Sequence, residues 1–157
     1  HASERYPEFF DRYCGYAAAL QQAGIGVDPA WQADAISNEQ DGYDAMLSLF
    51  ARGVDCDAVF AASDLIAIGA MRAIQERGLA IPEQIAVAGF DNIPMANFVS
   101  PALTTVLQDT KQAGELLVKT LLHLINNEPV QSQMLPAKLI IRRSCGAVCQ
   151  PEGDPAQ

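Results

Sequence analysis

Stretches with apolar residues at helical spacing alternate along this chain with short, continuous apolar runs. The helical spacing predicts helices over residues 7–23, 38–50, 65–77 and 110–125. The apolar runs predict strands over residues 31–36, 58–62, 85–90, 103–107 and 135–143. The runs 58–62 and 85–90 have the unbroken apolar pattern of strands covered on both faces. Helices alternating with such strands indicate an α/β fold, a parallel sheet flanked by helices and built with right-handed crossovers.

Polar residues mark where several of these helices begin. Ser37 with Gln40 resembles a capping box for the second helix, and Ser63 or Asp64 is expected to cap the third. Residues 91–101 form a loop of about eleven residues, a length that suggests a functional role rather than a plain connection. Residues 146–157 are expected to be a disordered tail.

The charge balance excludes some functions for these residues. Ten Lys and Arg stand against nineteen Asp and Glu among 157 residues, which gives a net charge of −9. Such a surface repels phosphate backbones, so the chain by itself is a poor nucleic-acid binder. Its apolar runs fall well short of the roughly 20 residues that cross a bilayer, and no signal peptide opens it. We therefore expect no membrane partner.

The four cysteines, Cys14, Cys56, Cys145 and Cys149, do not have the spacing of a metal site. They favour reduced thiols and a cytoplasmic location over disulfides or a metal. His1 and His123 stand in no nucleophile motif, and the chain has neither a Walker loop nor a Gly-x-Gly-x-x-Gly turn. The sequence therefore predicts no enzyme activity, no cofactor and no metal ion.

Polar residues do follow the predicted strands, at the sheet edge where open α/β folds bind ligands. Ser37 follows the first strand, Ser63 and Asp64 the second, and Asp91 the third. Ser37 and Asp64 are equally explained as helix caps, whereas Asp91 has no helix close enough to cap. Arg12, on the first helix, is on its pattern alone a solvated charge.

Five segments of the sequence, in the same order along the chain, resemble motifs of the lactose-repressor (LacI/GalR) family. They are RYCGY (12–16), DAVFAASD (57–64), PEQIAVAGFDN (82–92), PALTTVLQ (101–108) and LPAKLIIRRSC (135–145). The resemblance extends over nearly the whole chain. It implies the C-terminal part of a periplasmic-binding-protein-like, two-lobed effector-binding core, belonging to a DNA-binding transcriptional repressor. The helix-turn-helix that contacts operator DNA, the hinge and most of the first lobe are then expected outside these residues.

The resemblance also divides the chain. It implies that residues 1–102 form an incomplete C-terminal subdomain, that residues 103–128 cross to the N-terminal subdomain, and that residues 129–145 return. The positions that match the family's effector cleft are Arg12, Ser37, Ser63, Asp91 and Gln108. Those that match its homodimer interface are Ala67, Ile68, Met71, Phe98 and Val99.

The expected effector is a sugar or sugar phosphate. Arg12 presents a fork of donors, and Asp91 can accept hydrogen bonds from two adjacent hydroxyls. Ser63 replaces the asparagine usual in the family, and Ser37 and Thr110 replace frequent aromatics, which disfavours a purine. A periplasmic sugar-binding protein of a transport system, which has the same fold, is the alternative.

Overall fold

The computed structural model describes residues 7–36 and 38–147. Its helices are α1 (Pro7–Gln22), α2 (Glu39–Ala51), α3 (Asp64–Glu76) and α4 (Thr110–Ile125). Its strands are β1 (Ala58–Phe60), β2 (Ala86–Ala88), β3 (Thr105–Leu107) and β4 (Lys138–Ile140). Three short 3-10 helices cover Pro29–Trp31, Pro94–Asn97 and Arg143–Cys145.

The strands form two pairs that are joined side by side. β1 runs parallel to β2 with Val59 opposite Val87, and β3 runs antiparallel to β4. Parallel bridges from Ala88 to Thr104 and from Asp91 to Leu107 connect the two pairs. This arrangement confirms the predicted α/β fold with a parallel sheet, and it places the ends of β2 and β3 next to each other.

The core lies where α2 and α3 pack together beside the sheet. Its fully buried side chains include Met46 from α2, Ile74 from α3, Val87 from β2 and Leu103 from the segment before β3. Two glycines let the helices approach closely. A Cβ at Gly69 would lie 1.9 Å from the carbonyl oxygen of Glu39, and one at Gly42 would lie 2.2 Å from that of Ile66.

Several elements differ from the sequence prediction. No strand forms over residues 31–36, because Asp28 caps a 3-10 helix that begins at Pro29 and so turns the chain there. The second helix is capped by Asn38 instead of Ser37, with the Asn38 side chain accepting from the Asp41 backbone N–H at 2.8 Å. The Asp41 carboxylate returns the contact by accepting from the Asn38 amide. Ser37 itself lies outside the described residues.

The strand at residues 58–62 was predicted to be covered on both faces, and this prediction is wrong for β1. Ala58 and Phe60 are exposed, and only Val59 between them is partly buried. The α1 ring of Tyr16 stacks on Phe60 at a centroid distance of 6.3 Å without burying it. The loop at residues 91–101 is also partly helical, since Pro94–Asn97 form a 3-10 turn. The tail beyond residue 147 lies outside the described residues.

We predict that Gly69→Ala lowers the free energy of unfolding by about 1–3 kcal/mol or more, because the added methyl meets helix backbone that cannot move aside. Gly114→Ala is the matched control. Nothing lies within 4 Å of a Cβ at Gly114, so the better helix former should raise stability by about 1 kcal/mol. Urea unfolding followed by circular dichroism measures both. Equal effects of the two substitutions would contradict the proposed packing of α2 on α3.

Candidate functional site

A cation, a carboxylate and an amide meet beyond the ends of β2 and β3. The Arg12 guanidinium of α1 lies 3.5 Å from Oδ1 of Asp91, which follows β2. Gln108, which follows β3, donates its side-chain N–H to the same Asp91 oxygen at 2.9 Å. The structure therefore brings together three of the five residues predicted for the effector cleft.

Arg12 is held in place by more than its ion pair. One guanidinium nitrogen donates to the carbonyl oxygen of Ala62, and the guanidinium carbon lies 4.0 Å from the Phe90 ring centroid. The Phe9 ring is at 5.4 Å. Cation–π contacts and a carbonyl acceptor hold the planar group in a fixed orientation. The Arg12 side chain is only 13% exposed, so it is not the solvated charge that its helical position suggested.

The Asp91 carboxylate is poised to accept further hydrogen bonds. Burial raises the pKa of the Asp91 carboxyl above its usual value, while the Arg12 charge and the Gln108 hydrogen bond act to lower it. The negative charge of Asp64 adds to the rise. Both described donors use Oδ1, and none among the described residues contacts Oδ2. A partly desolvated carboxylate with one unused oxygen favours a ligand that donates hydrogen bonds, such as a polyol.

The backbone turns sharply where Asp91 is presented. Asp91 has φ 111° and Asn92 φ 54°, a left-handed region that non-glycine residues seldom adopt. Hydrogen bonds support the corner: the Asp91 N–H donates to the Val106 carbonyl at 2.9 Å, and the Asn92 N–H donates to the Thr105 hydroxyl at 3.2 Å. Strain of this kind persists only where neighbouring contacts enforce it, and it is concentrated at functional sites.

Asp64, the first residue of α3, stabilises this corner through hydrogen bonds. Its side chain is fully buried and accepts from the Thr105 hydroxyl at 2.5 Å and from the Ile93 N–H at 2.8 Å. Its own N–H donates to the Phe90 carbonyl at 2.8 Å. Gly89 makes room for it, because a Cβ there would lie 2.4 Å from an Asp64 carboxylate oxygen. Asp64 is therefore a structural anchor rather than the helix cap that the sequence allowed.

The helix cap is Ser63. Its hydroxyl accepts from the Ile66 N–H at 3.4 Å, and the residue is only 1% exposed. Ser63 therefore has a structural task at the edge of the cluster, and its contact with an effector stays a prediction. Ser37, the fifth predicted cleft residue, lies outside the described residues.

The sequence reasoning missed the residues that shape the Asp91 corner. Thr105 and Asn92 supply the hydroxyl and the amide around the turn, and Arg142 donates to the Asn92 side-chain oxygen at 2.7 Å. All three stand inside the matched motif blocks, which was a signal that they have specific contacts. Their partners are as far as 50 positions away in sequence, so spacing alone could not identify them.

Among the described residues, no cluster of His, Cys, Asp or Glu could hold a metal ion. Cys14, Cys56 and Cys145 are free thiols, and Cys149 is outside the described ranges. None of the helices in the described part of the chain is long and apolar enough to cross a membrane. A shallow groove beside Cys56 and Gln84 lies at the opposite ends of β1 and β2, away from Asp91.

Comparison with known proteins identifies the family to which this fold belongs. Residues 3–145 match the family described as periplasmic binding protein-like domain. The chain belongs to this family. The PurR transcriptional repressor of Pasteurella multocida is 36% identical over 135 residues, which are 85% of this chain and 40% of that protein. The ribose operon repressor of Haemophilus influenzae is 36% identical over 136 residues, with 85% and 41% covered.

Solved structures agree with these relatives. A sugar-binding LacI-family regulator from Escherichia coli, complexed with phosphate, superposes with a TM-score of 0.80 at 33% identity and covers 86% of this chain and 49% of its own. The lac repressor dimer bound to operator and an anti-inducer gives 0.81 at 31% identity, with 87% and 47% covered. This chain thus has the fold of a LacI-type effector-binding core, and it spans about two fifths of the length of the curated relatives.

Within this family fold, the five residues predicted for a homodimer interface occupy different environments. Phe98 is 81% exposed, in the loop that follows β2. Ile68 and Val99 are partly buried against the core. Ala67 and Met71 are buried on the face of α3 that packs into the core of this chain, so their place at an interface stays a prediction that their burial disfavours.

We predict that Asp64→Ala lowers the free energy of unfolding of this chain by about 3 kcal/mol, since it leaves the Thr105 hydroxyl and Ile93 N–H without their acceptor. Thr105→Val should cost less, and the double variant should lose at least about 1 kcal/mol less than the sum of the two. Asp55→Ala, at an exposed acid, is the control. Urea unfolding of all four proteins gives the coupling, and strict additivity would refute the link between α3 and β3.

Proposed function

We propose that this chain is the effector-binding and dimerisation region of a LacI-type, DNA-binding transcriptional repressor. The relatives support this, because they are named as repressors and span a longer protein than this chain. The DNA-reading domain is then a separate part of the repressor, which accounts for a net charge of −9 in a region that need not contact DNA. This region has a regulatory role in the cytoplasm and no catalytic one.

The observation that carries the proposal is the cluster of Arg12, Asp91 and Gln108. It lies at the carboxyl ends of neighbouring strands, where open α/β sheets bind small ligands. A periplasmic sugar-binding protein would share the fold, but the relatives are named as transcriptional repressors, and these names favour the repressor.

The chemistry of the cluster favours a sugar or sugar phosphate as the effector. Oδ2 of Asp91 accepts no hydrogen bond from the described residues and can accept from a vicinal hydroxyl, while Arg12 and Gln108 supply N–H donors for ring or phosphate oxygens. The three side chains are polar and planar-ended, and none offers a ring for stacking a base. The solved relative described as sugar-binding and complexed with phosphate is consistent with this choice.

We also propose that α4 packs on the N-terminal subdomain in the intact repressor. No residue of α4 is buried in this chain, and Leu117, Leu121 and Ile125 expose much of their apolar surface. The family resemblance implies that residues 103–128, which include α4, cross to that subdomain. Closure of the two subdomains on an effector would then shift the population between DNA-binding and released states.

We predict that a sugar or sugar phosphate raises the melting temperature of the intact repressor and that Asp91→Ala reduces the shift by about half or more at the same ligand concentration. At 100 times its Kd a ligand adds about 2.7 kcal/mol of stability, which thermal-shift assays detect readily. Loss of one charge-assisted hydrogen bond costs about 1.5–3 kcal/mol, or roughly a 10- to 150-fold weaker Kd. The screen uses D-ribose, other monosaccharides, their phosphates and nucleosides.

The matched control is Asp55→Ala, an exposed acid that precedes β1 and so lies at the opposite edge of the sheet. It should retain the full shift. A ligand whose shift is the same in Asp91→Ala as in the unsubstituted repressor would show that the site is elsewhere. A screen with nucleosides as its only hits would reject the sugar assignment while leaving the repressor family intact.

The dimer is proposed to form through the loop that carries Phe98. Phe98 is 81% exposed and Met95 is 54% exposed; Met95 lies in the 3-10 helix Pro94–Asn97, and Phe98 is the residue that ends it. Ile68 and Val99 are partly buried against the core and can contribute their exposed atoms to the interface. Buried aromatic anchors of this kind dominate interface energies.

We predict that Phe98→Ser weakens dimerisation of the intact repressor by about 30-fold or more, the effect of losing an anchor worth about 2 kcal/mol. Phe10→Ser is the matched control, because Phe10 is also an exposed phenylalanine, at 50%, but lies on α1. Analytical ultracentrifugation across a dilution series reads both dissociation constants. An unchanged constant for Phe98→Ser would place the interface elsewhere.

A further inference from the structure

Arg142 of the closing block joins the C-terminal segment to the Asp91 corner. It follows β4, and its guanidinium donates to the Leu103 carbonyl and to the Asn92 side-chain oxygen, each at 2.7 Å. Its backbone N–H donates to the Thr104 hydroxyl at 2.8 Å. The Arg142 side chain thus forms hydrogen bonds both to Leu103, in the segment before β3, and to Asn92, the residue next to Asp91.

Asn92 connects Arg142 to the backbone of the Asp91 corner. Its backbone is left-handed at φ 54°, and its N–H is already held by the Thr105 hydroxyl, which Asp64 anchors in turn. Asn92 is therefore held on both its backbone and its side chain. The direction in which Asp91 leaves this corner determines whether its carboxylate meets Gln108 and Arg12.

We propose that Arg142 is a positioning residue of the effector site, acting through Asn92 to aim the Asp91 carboxylate. In the described part of the chain, Arg142 donates its hydrogen bonds to Thr104, Leu103 and Asn92, none of which is a predicted cleft residue. The planar guanidinium fork satisfies two acceptors in a fixed geometry, which a lysine ammonium on a flexible stem does not reproduce. The proposal rests on the proposed function for the use of this site, but the geometry it describes can be tested without any effector.

A purely structural role for Arg142 would be to tie the C-terminal segment to Leu103 and Thr104. That role would affect stability and leave the orientation of Asp91 unchanged. The side-chain amide resonances of Gln108 distinguish the two roles, because they report on the Asp91 contact and not on overall stability. These resonances depend on the hydrogen bond that the Gln108 amide donates to the Asp91 carboxylate at 2.9 Å.

The experiment records two-dimensional ¹H–¹⁵N spectra of the 157-residue chain, with the Gln108 amide pair assigned by its loss in Gln108→Glu. Asp91→Ala gives the resonance position without the contact. We expect Arg142→Lys to move the Gln108 resonances towards that position. Arg143→Lys, at the exposed neighbouring residue, is the matched control and should leave them in place.

Asn92→Gly keeps the experiment decisive if Arg142→Lys does not fold. Glycine adopts the left-handed corner freely and removes only the amide that Arg142 holds, so the Gln108 resonances should move in the same direction. Unmoved resonances in Arg142→Lys, or in Asn92→Gly, would overturn the proposal. If Asp91→Ala itself leaves the resonances unmoved, the contact is absent and the proposal also fails. A failure in these spectra is distinct from a failed effector screen, because no ligand is present.

Discussion

The buried carboxylate of Asp64 is the constraint on which the rest of the site depends. It starts α3, accepts from the hydroxyl of Thr105 in β3, and accepts from the backbone N–H of Ile93 beyond β2. A carboxylate with no exposed surface is tolerable only when its oxygens are satisfied by donors. The requirement for those donors draws helix, strand and loop to one point, and Gly89 leaves the space for it.

The corner built on this anchor has a charge balance suited to exchange with a ligand. Asp91 is desolvated enough for its pKa to be raised, yet Arg12 and Gln108 engage only one of its oxygens. Arg12 is in turn restrained by the Phe90 ring and the Ala62 carbonyl. Groups held in place before binding lose little freedom when a ligand arrives, which converts their hydrogen bonds into specificity.

The hydrophobic core and the candidate site lie in different parts of this chain. The core is concentrated where α2 meets α3 through Gly42 and Gly69, whereas α4 buries no residue. The Asp91 corner is connected to this core by Asp64, at the first turn of α3. Gln108 lies two residues before α4, so the segment that carries the exposed helix also supplies a donor to the Asp91 corner.

The sequence by itself determined the order of the elements and the family, because apolar spacing and the five motif blocks are local features. It also selected Asp91 from its position after a strand, whereas Arg12 and Gln108 were selected only through the resemblance, since Arg12 alone has the pattern of a solvated charge. Local pattern failed at residues 31–36, where Pro29 and the Asp28 cap set a turn, and at β1, which has an open face.

The tertiary structure alone decided which face of α3 is core, and it buries Ala67 and Met71 there. It also revealed the hydrogen bonds of Asp64 and Arg142, whose partners are distant in sequence. Such contacts depend on the packing of several elements at once, and no single stretch of sequence encodes them.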